Sequence, residues 1–430
     1  MITEIIRKKA TGKELSFSEL EYFIKGVCDN SIEDYKLTAL ISAMYINGLT
    51  DEELSSLTLL MAESGDMLDL SSFDISFDKH SSGGVGDKVS LIITPVIASL
   101  GITVAKMSGR GLSNTGGTID KLESITGFNV NLEKEEFFDI LRTTGCAITS
   151  QTGNICYADK RIYALRDVTG LVDSIPLIAS SIMSKKIAAG AKNIILDVKC
   201  GKGAFMKDVD SARLLSEKMV GIGKSLGRNI IALVTDMNEP LGYAVGNSLE
   251  VIEAVEVLKG KYVKGLSELC EEICINALLM TELEKDVKTA RKKVKDTILS
   301  GKALEKFKEF VTKQKGDISF IDDYTLLPLS KPYEIKAEAD GFVKEIDSYK
   351  IGELSMALGG GRKKKEDKID YGVGILLNKK TGDKVEKGEL LATVYCSGVM
   401  TEEIKRDFVN AFEFSADSFN KNNNIILETV

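Results

Sequence analysis

The sequence is short of the residues that build metal centres, disulfide frameworks and membrane spans. Histidine occurs once, at position 80, so no second imidazole is available and a zinc site is not expected. The seven cysteines are odd in number, scattered, and never spaced CxxC, which fits a reduced interior rather than a set of paired bridges. Cys270 and Cys274 lie four apart in an Ile/Leu-rich helical stretch, where thiols serve as small hydrophobes. No window supplies the ~18 uninterrupted apolar residues of a membrane span. Neither an apolar core nor a small-residue cleavage site follows Met1, so a cytoplasmic protein without a membrane partner is expected. There is no excess of positive charge either: 56 Lys and Arg face 64 Asp and Glu, a formal net charge of −8. A nucleic-acid partner is therefore not expected, and an anionic substrate needs a local positive site. Lys363, Lys364 and Lys365 form a basic run, but Glu366 and Asp367 follow at once, and the segment reads as a solvated loop.

What is present is ample core. Of 430 residues, 43% are apolar and 28% charged, which suits two or three soluble domains. Ser16-x-x-Glu19 and Thr50-x-x-Glu53 are capping-box patterns. Leu20, Phe23, Ile24 and Val27 follow the first on one helical face, and Leu54, Leu57 and Met61 follow the second. Ser31 opens a helix between them carrying Leu37, Leu40, Ile41 and Met44. From about residue 73 glycine-rich turns alternate with β-branched runs, and Ile102–Met107, Asn193–Val198 and Asn229–Thr235 read as buried parallel strands. Asp173 or Ser174 caps a further helix with Pro176 in its first turn, closed by Gly190, and this segment is expected to pack with the opening helices. After Pro328 and Pro332, short alternating strands separated by glycines mark a last domain, with Val373–Leu377 and Leu390–Tyr395 strand-like. It has the look of a biotinyl or lipoyl carrier domain, yet lacks a Met-Lys-Met hairpin, so a structural use of the shape is expected.

The fold class read from these patterns is α/β: a small helical domain, a larger α/β domain and a C-terminal α+β domain with a barrel-like β element; the family likeness carried by the motifs below implies that the first is hinged to the second. The helical domain is expected over 1–68, completed by about 160–191; the α/β domain, to which that likeness assigns phosphate binding, over 73–155 and 192–330; and the C-terminal domain over 331–430.

Three segments carry chemistry. In Lys79-His80-Ser81-Ser82-Gly83-Gly84-Val85-Gly86-Asp87 the glycines let backbone amides approach an oxyanion, and a helix beginning near Lys88 adds its N-terminal donors. It is not a Walker A loop, since Gly-Lys-Ser/Thr is missing. The stretch from Ser108 to Glu123 has four glycines among several hydroxyls, more than a plain turn requires, and reads as a ligand-facing loop. Tyr163-Ala164-Leu165-Arg166-Asp167-Val168-Thr169 precedes Ser181 and Lys185, which are four apart and so share a helix face; a solvated polar face is the alternative.

Together KHSSGGVGDK, SGRGLSNTGGTIDKLESITGF and YALRDVTGLVDSIPLIASSIMSKK resemble the thymidine and pyrimidine-nucleoside phosphorylases, in that family's order and spacing. The likeness continues through Asp197–Met206 and Leu241–Asn247 into the last domain. It implies phosphorolysis of thymidine, deoxyuridine or uridine to the free base and an α-sugar 1-phosphate. It further implies inorganic phosphate as co-substrate, no required cofactor, and a homodimer. The matching positions assign Lys79, Ser81, Ser90, Ser108 and Thr118 to phosphate, and Arg166, Ser181 and Lys185 to the pyrimidine. Tyr163, Leu112, Val172, Ile178 and Phe205 line the base and sugar pocket. Glycosidic cleavage puts negative charge on the departing base, so catalytic roles fall to His80, Arg166 and Lys185 as donors to it.

Two departures stand out. Ser113-Asn114 replaces the family's usual Gly-His, and asparagine does not titrate near neutrality. Lys88 replaces a threonine of potassium-binding members, whose cation meets positions matching Gly86, Leu241, Ala244 and Glu253. The expectation is that the Lys88 ammonium takes the cation's place opposite Glu253. Two rival readings remain: an anthranilate-type phosphoribosyltransferase, which would need acidic magnesium ligands, and a catalytically silent nucleoside-binding protein.

Overall fold

The computed structural model describes residues 1–111, 116–151, 154–362, 364, 367–418 and 424–430. Four helices open the chain: α1 (Ile2–Ala10), α2 (Phe17–Cys28), α3 (Asp34–Asn47) and α4 (Asp51–Glu63). Ser16 and Thr50 both form the capping boxes that their spacing predicts, and the apolar faces read from the sequence are buried. The start of α3 is a small correction. Ser31 closes a turn on the Asp29 carboxylate at 2.9 Å, and the helix begins three residues later behind Glu33.

The chain then alternates. Strand β1 (Ser76–Ser81) leads to α5 (Val89–Ser99), β2 (Thr103–Ser108) to α6 (Thr118–Glu123) and α7 (Lys134–Thr144), followed by β3 (Cys146–Ser150). Helices α8 (Tyr157–Val168) and α9 (Ile175–Ala188) return to the opening bundle: α8 packs on α2, α3 and α4, and α9 on α4. The alternation resumes with β4 (Asn193–Cys200), α10 (Val209–Ser225), β5 (Asn229–Asp236) and the short β6 (Ala244–Val245). Helices α11 (Asn247–Leu258), α12 (Leu266–Met280), α13 (Val287–Leu299) and α14 (Lys302–Lys313) follow. The remainder holds β7 (Lys331–Lys336), β8 (Gly341–Ile346), α15 (Ser348–Ser355), β9 (Gly374–Leu377), β10 (Lys384–Val385), β11 (Leu390–Cys396), α16 (Glu402–Val409), β12 (Phe412–Ser415) and β13 (Ile426–Thr429).

The central sheet has the order β13-β5-β4-β1-β2-β3, parallel except for β13, which pairs antiparallel with β5. The chain end therefore departs from the division expected at residue 331, because Ile426–Thr429 completes the central sheet instead of the last domain. A two-residue side-chain period divides the strands between two cores. Ile194, Leu196 and Val198 of β4 join the core shared with the helical bundle, whereas Ile195 joins the core under α5, α11 and α12. The C-terminal β elements form two small sheets, β10-β8-β12 and β6-β9-β11-β7. β6, contributed by the segment after β5, pairs with β9 and ties the last domain to the α/β domain. Among the described residues, no helix is long and apolar enough to cross a membrane.

Within the helical bundle, Glu53 accepts from buried Lys9 at 2.7 Å, from the Leu15 amide at 2.8 Å and from the Thr50 amide at 2.8 Å. Removing one partner of a buried pair leaves an uncompensated charge, at about 3–5 kcal/mol. Glu53→Ala is expected to lower the thermal unfolding midpoint by roughly 6 °C or more; an unchanged midpoint in a thermal melt would show that the bundle does not rely on this hub.

Candidate active site

At the C-terminal ends of the parallel strands, where open α/β sheets bind ligands, a cleft of about 500 Å³ separates the sheet from the helical bundle. Its sheet wall carries His80 and Ser81 from the end of β1, Ser90 from α5, Ser108 from β2 and Thr118 from α6, and the opposite wall carries Tyr163, Ile182, Lys185 and Lys186.

The period of β1 sends Lys79 and His80 to opposite faces of the sheet. Lys79 is buried, its ammonium 2.7 Å from Asp197 and 3.5 Å from Asp87. Asp197 also lies 2.8 Å from the Lys199 ammonium and accepts from the Thr235 hydroxyl at 2.7 Å. Burial works against the charge on Lys79, but Asp197 and Asp87 outweigh it and raise its pKa. Burial likewise opposes ionisation of Asp87, yet Lys79 and Lys199 hold its carboxyl far below the usual range. Two ammoniums and two carboxylates thus form a charged floor beneath the Ser81–Gly84 turn.

On the other face His80 is surrounded by cations. Burial, then Lys186, Lys106 and Lys79, push its pKa well below 6.5, so the imidazole is neutral at physiological pH. Its Nε2 has no hydrogen-bond partner among the described residues, and the residue lines the cleft. Lys186 donates to Asp78 at 2.7 Å and to the Met107 carbonyl at 3.2 Å. Lys106 donates to the Lys79 carbonyl at 2.6 Å and lies 3.8 Å from Asp78. Burial lowers the Lys106 pKa to about 8; Asp78 opposes this, and Lys186 and Lys79 reinforce it.

Across the cleft, Lys185 and Ser181 share the face that their spacing predicts. The ammonium donates to the Ser181 hydroxyl at 3.0 Å, to the Ser181 carbonyl at 2.8 Å and to the Asp159 carboxylate.

Not every expected residue reaches the cleft. Lys79 lies beneath its lining because the ion pair with Asp197 holds it in the floor. Arg166 is turned into the bundle, where burial of a guanidinium demands acceptors; it donates to the carbonyls of Leu171 at 3.1 Å, Val172 at 2.8 Å and Leu177 at 3.2 Å. Val172 and Ile178 are outside the lining, and Phe205 lies half-exposed away from it. Leu112, Ser113 and Asn114 lie outside the described residues. Sequence reasoning missed Asp78, Lys106, Asp159 and Lys186. The available signal was Lys106 itself, a charged residue inside a run otherwise read as a buried strand.

Of the positions expected around a cation, Leu241, Ala244 and Glu253 meet the Lys88 side chain. The buried Lys88 ammonium donates to the Leu241 carbonyl at 2.9 Å, the Ala244 carbonyl at 2.7 Å and Glu253 at 2.6 Å. Gly86, at φ +74°, has no room for a Cβ, which would stand 2.7 Å from the Leu241 carbonyl.

A helical bundle set against an α/β domain, with the cleft between them, defines a glycosyltransferase architecture, and family models agree. Residues 3–65 match the helical bundle domain of the glycosyl transferase family, 74–304 its a/b domain, and 342–415 the pyrimidine nucleoside phosphorylase C-terminal domain. A pyrimidine-nucleoside phosphorylase of Staphylococcus haemolyticus is 47% identical over 97% of both chains. Those of Bacillus subtilis and Geobacillus stearothermophilus are 49% and 46% identical over 94% and 96% of both chains. The chain belongs to the pyrimidine-nucleoside phosphorylase family. Among solved structures, anthranilate phosphoribosyltransferase from Thermus thermophilus aligns with TM-score 0.58 at 16% identity, covering 73% of this chain and 99% of that one, a likeness of fold alone.

A positive charge in the cleft attracts phosphate. Raising the pH through about 8 removes the charge on Lys106, so kcat/KM for phosphate is expected to fall there. Lys106→Gln should abolish that limb of the profile. A limb with the same midpoint in the variant would assign the titration to another group.

Proposed function

We propose that this protein catalyses the reversible phosphorolysis of pyrimidine nucleosides, giving the free base and an α-(deoxy)ribose 1-phosphate. The observation that carries the reading is the position of His80, whose Nε2 has no partner among the described residues, between hydroxyls and a charged floor on one wall and the Lys185–Ser181–Asp159 group on the other. Phosphate, held by Ser81, Ser90, Ser108 and Thr118 over Lys79, attacks C1′ from the face opposite the base. The C1′–N1 bond breaks and its electron pair passes to the pyrimidine. Donors to the pyrimidine oxygens stabilise that charge; a neutral imidazole retains one ring N–H and can supply such a hydrogen bond.

Lys185 and Ser181 take the far edge of the base. Arg166 uses three of its five N–H donors on carbonyls; closure of the helical domain would bring the other two to the base, together with Val172 and Ile178. The apolar side chains of Tyr35, Tyr45 and Ile46 left exposed on α3 support a homodimer formed through the helical domain.

The test is release of base from thymidine, deoxyuridine and uridine. Turnover should require phosphate, and His80→Ala should lose about a hundredfold or more in kcat, the lower end of the range for positioned donors. Turnover without phosphate, or equal in His80→Ala, would falsify this reading.

We also infer that Lys88 is a built-in substitute for a monovalent cation, since one positive charge in a cage of two carbonyls and a carboxylate leaves no charge for a second to balance. Wild-type activity is expected to be indifferent to potassium, and Lys88→Thr to become potassium-dependent. Strong potassium dependence of the wild type would exclude the substitution.

A further inference from the structure

We propose that Arg362, contributed by the C-terminal domain, is a positioning residue that fixes Gly111 and Gly117, and through them the cleft hydroxyls of Ser108 and Thr118. The reasoning begins with Asp120, which has no exposure to solvent. One of its oxygens accepts from the amides of Gly111 and Gly117, both at 2.7 Å, so a single carboxylate holds the two glycines together. The other oxygen accepts from the Arg362 guanidinium at 2.7 Å, and the same nitrogen lies 3.5 Å from the Gly111 carbonyl. Arg110 stands 3.6 Å from Asp120 and is itself paired with Glu123.

A carboxylate this deeply buried keeps its charge only where cations and donors compensate it. Arg110 is 40% exposed at its side chain, whereas Arg362 is 10% exposed, so the desolvated compensation comes from the C-terminal domain, 242 residues away in sequence.

Gly116 and Gly117 are closely packed. A Cβ at Gly117 would stand 2.5 Å from the Gly111 amide nitrogen, and one at Gly116 would stand 2.0 Å from the Asn247 side-chain oxygen. Asn247 in turn donates to the Gly360 carbonyl at 3.0 Å, and Tyr371 donates to Glu123 at 3.2 Å. Gly360, Arg362 and Tyr371 therefore hold Asn247, Asp120 and Glu123, the first two of which adjoin Gly111, Gly116 and Gly117. Since Ser108 and Thr118 flank these glycines and line the cleft, a change at Asp120 moves the hydroxyls that receive the anion while leaving the base side in place.

The inference rests on the phosphate role assigned to those hydroxyls, and Thr118→Ala separates the two. Steady-state kinetics would be measured with phosphate and nucleoside varied independently, on full-length protein. Arg362→Gln should raise KM for phosphate at least tenfold while the nucleoside KM stays within twofold, and Arg362→Lys should recover an intermediate phosphate KM. A general loss of structure would move both KM values and the melting midpoint together, which would overturn the proposal. Should Arg362→Gln fail to fold, Arg362→Lys decides: a phosphate KM within twofold of wild type overturns the positioning role. If Thr118→Ala raises the phosphate KM and the Arg362 variants do not, the positioning role alone is wrong. If Thr118→Ala also leaves it unchanged, the phosphate assignment fails and the proposal with it.

Discussion

Strand β1 lies in the middle of a parallel sheet covered on both faces, and the two-residue period of an extended chain divides its side chains between two environments. Phe77 and Lys79 enter the layer beneath α5 and α12, while Asp78 and His80 enter the layer beneath the helical bundle. Two adjacent residues are thereby committed to different tasks. Lys79 becomes part of the charged floor with Asp197, Asp87 and Lys199, and His80 faces the cleft. A slip of one residue in the register of β1 with β4 would exchange them and place an imidazole in the floor.

That division demands compensation. Fully or nearly buried lysines at 79, 88, 106, 121, 186 and 199 are tolerable only because carboxylates or carbonyls meet each of them. Asp197 serves two, Asp78 serves two, Glu253 serves Lys88, and Glu250 lies 3.4 Å from Lys121. The positive charge needed near an anionic substrate is kept locally in a chain whose net charge is negative. The same cations leave the single histidine neutral, which fits it to donate a hydrogen bond rather than act as a standing charge.

The contacts between domains are equally specific. Lys88 joins the turn after β1 to the Leu241–Ala244 segment, β6 pairs into a sheet of the C-terminal domain, and β13 brings the chain end back to the central sheet. Arg362 and Asn247 extend this to the rim of the cleft. The helical bundle contributes the opposite wall through α8 and α9, which are far in sequence from α1 to α4 but packed on them.

Local chemistry in the sequence was enough to determine the capped helices, the buried strands β4 and β5, the return of residues 160–191 to the bundle, and the three segments that border the cleft. The family resemblance, in turn, raised the expectation that Lys88 lies opposite Glu253 beside Leu241 and Ala244. These features rest on short-range periodicity, on capping pairs three residues apart, or on motifs whose order is itself a pattern. Only the tertiary structure decided that Lys79 lies under the cleft lining, that Arg166 turns onto the carbonyls of Leu171, Val172 and Leu177, and that Asp120 is compensated from 242 residues away. Those outcomes depend on which acceptors surround a desolvated charge, and the acceptors are backbone carbonyls and distant carboxylates that no sequence pattern marks.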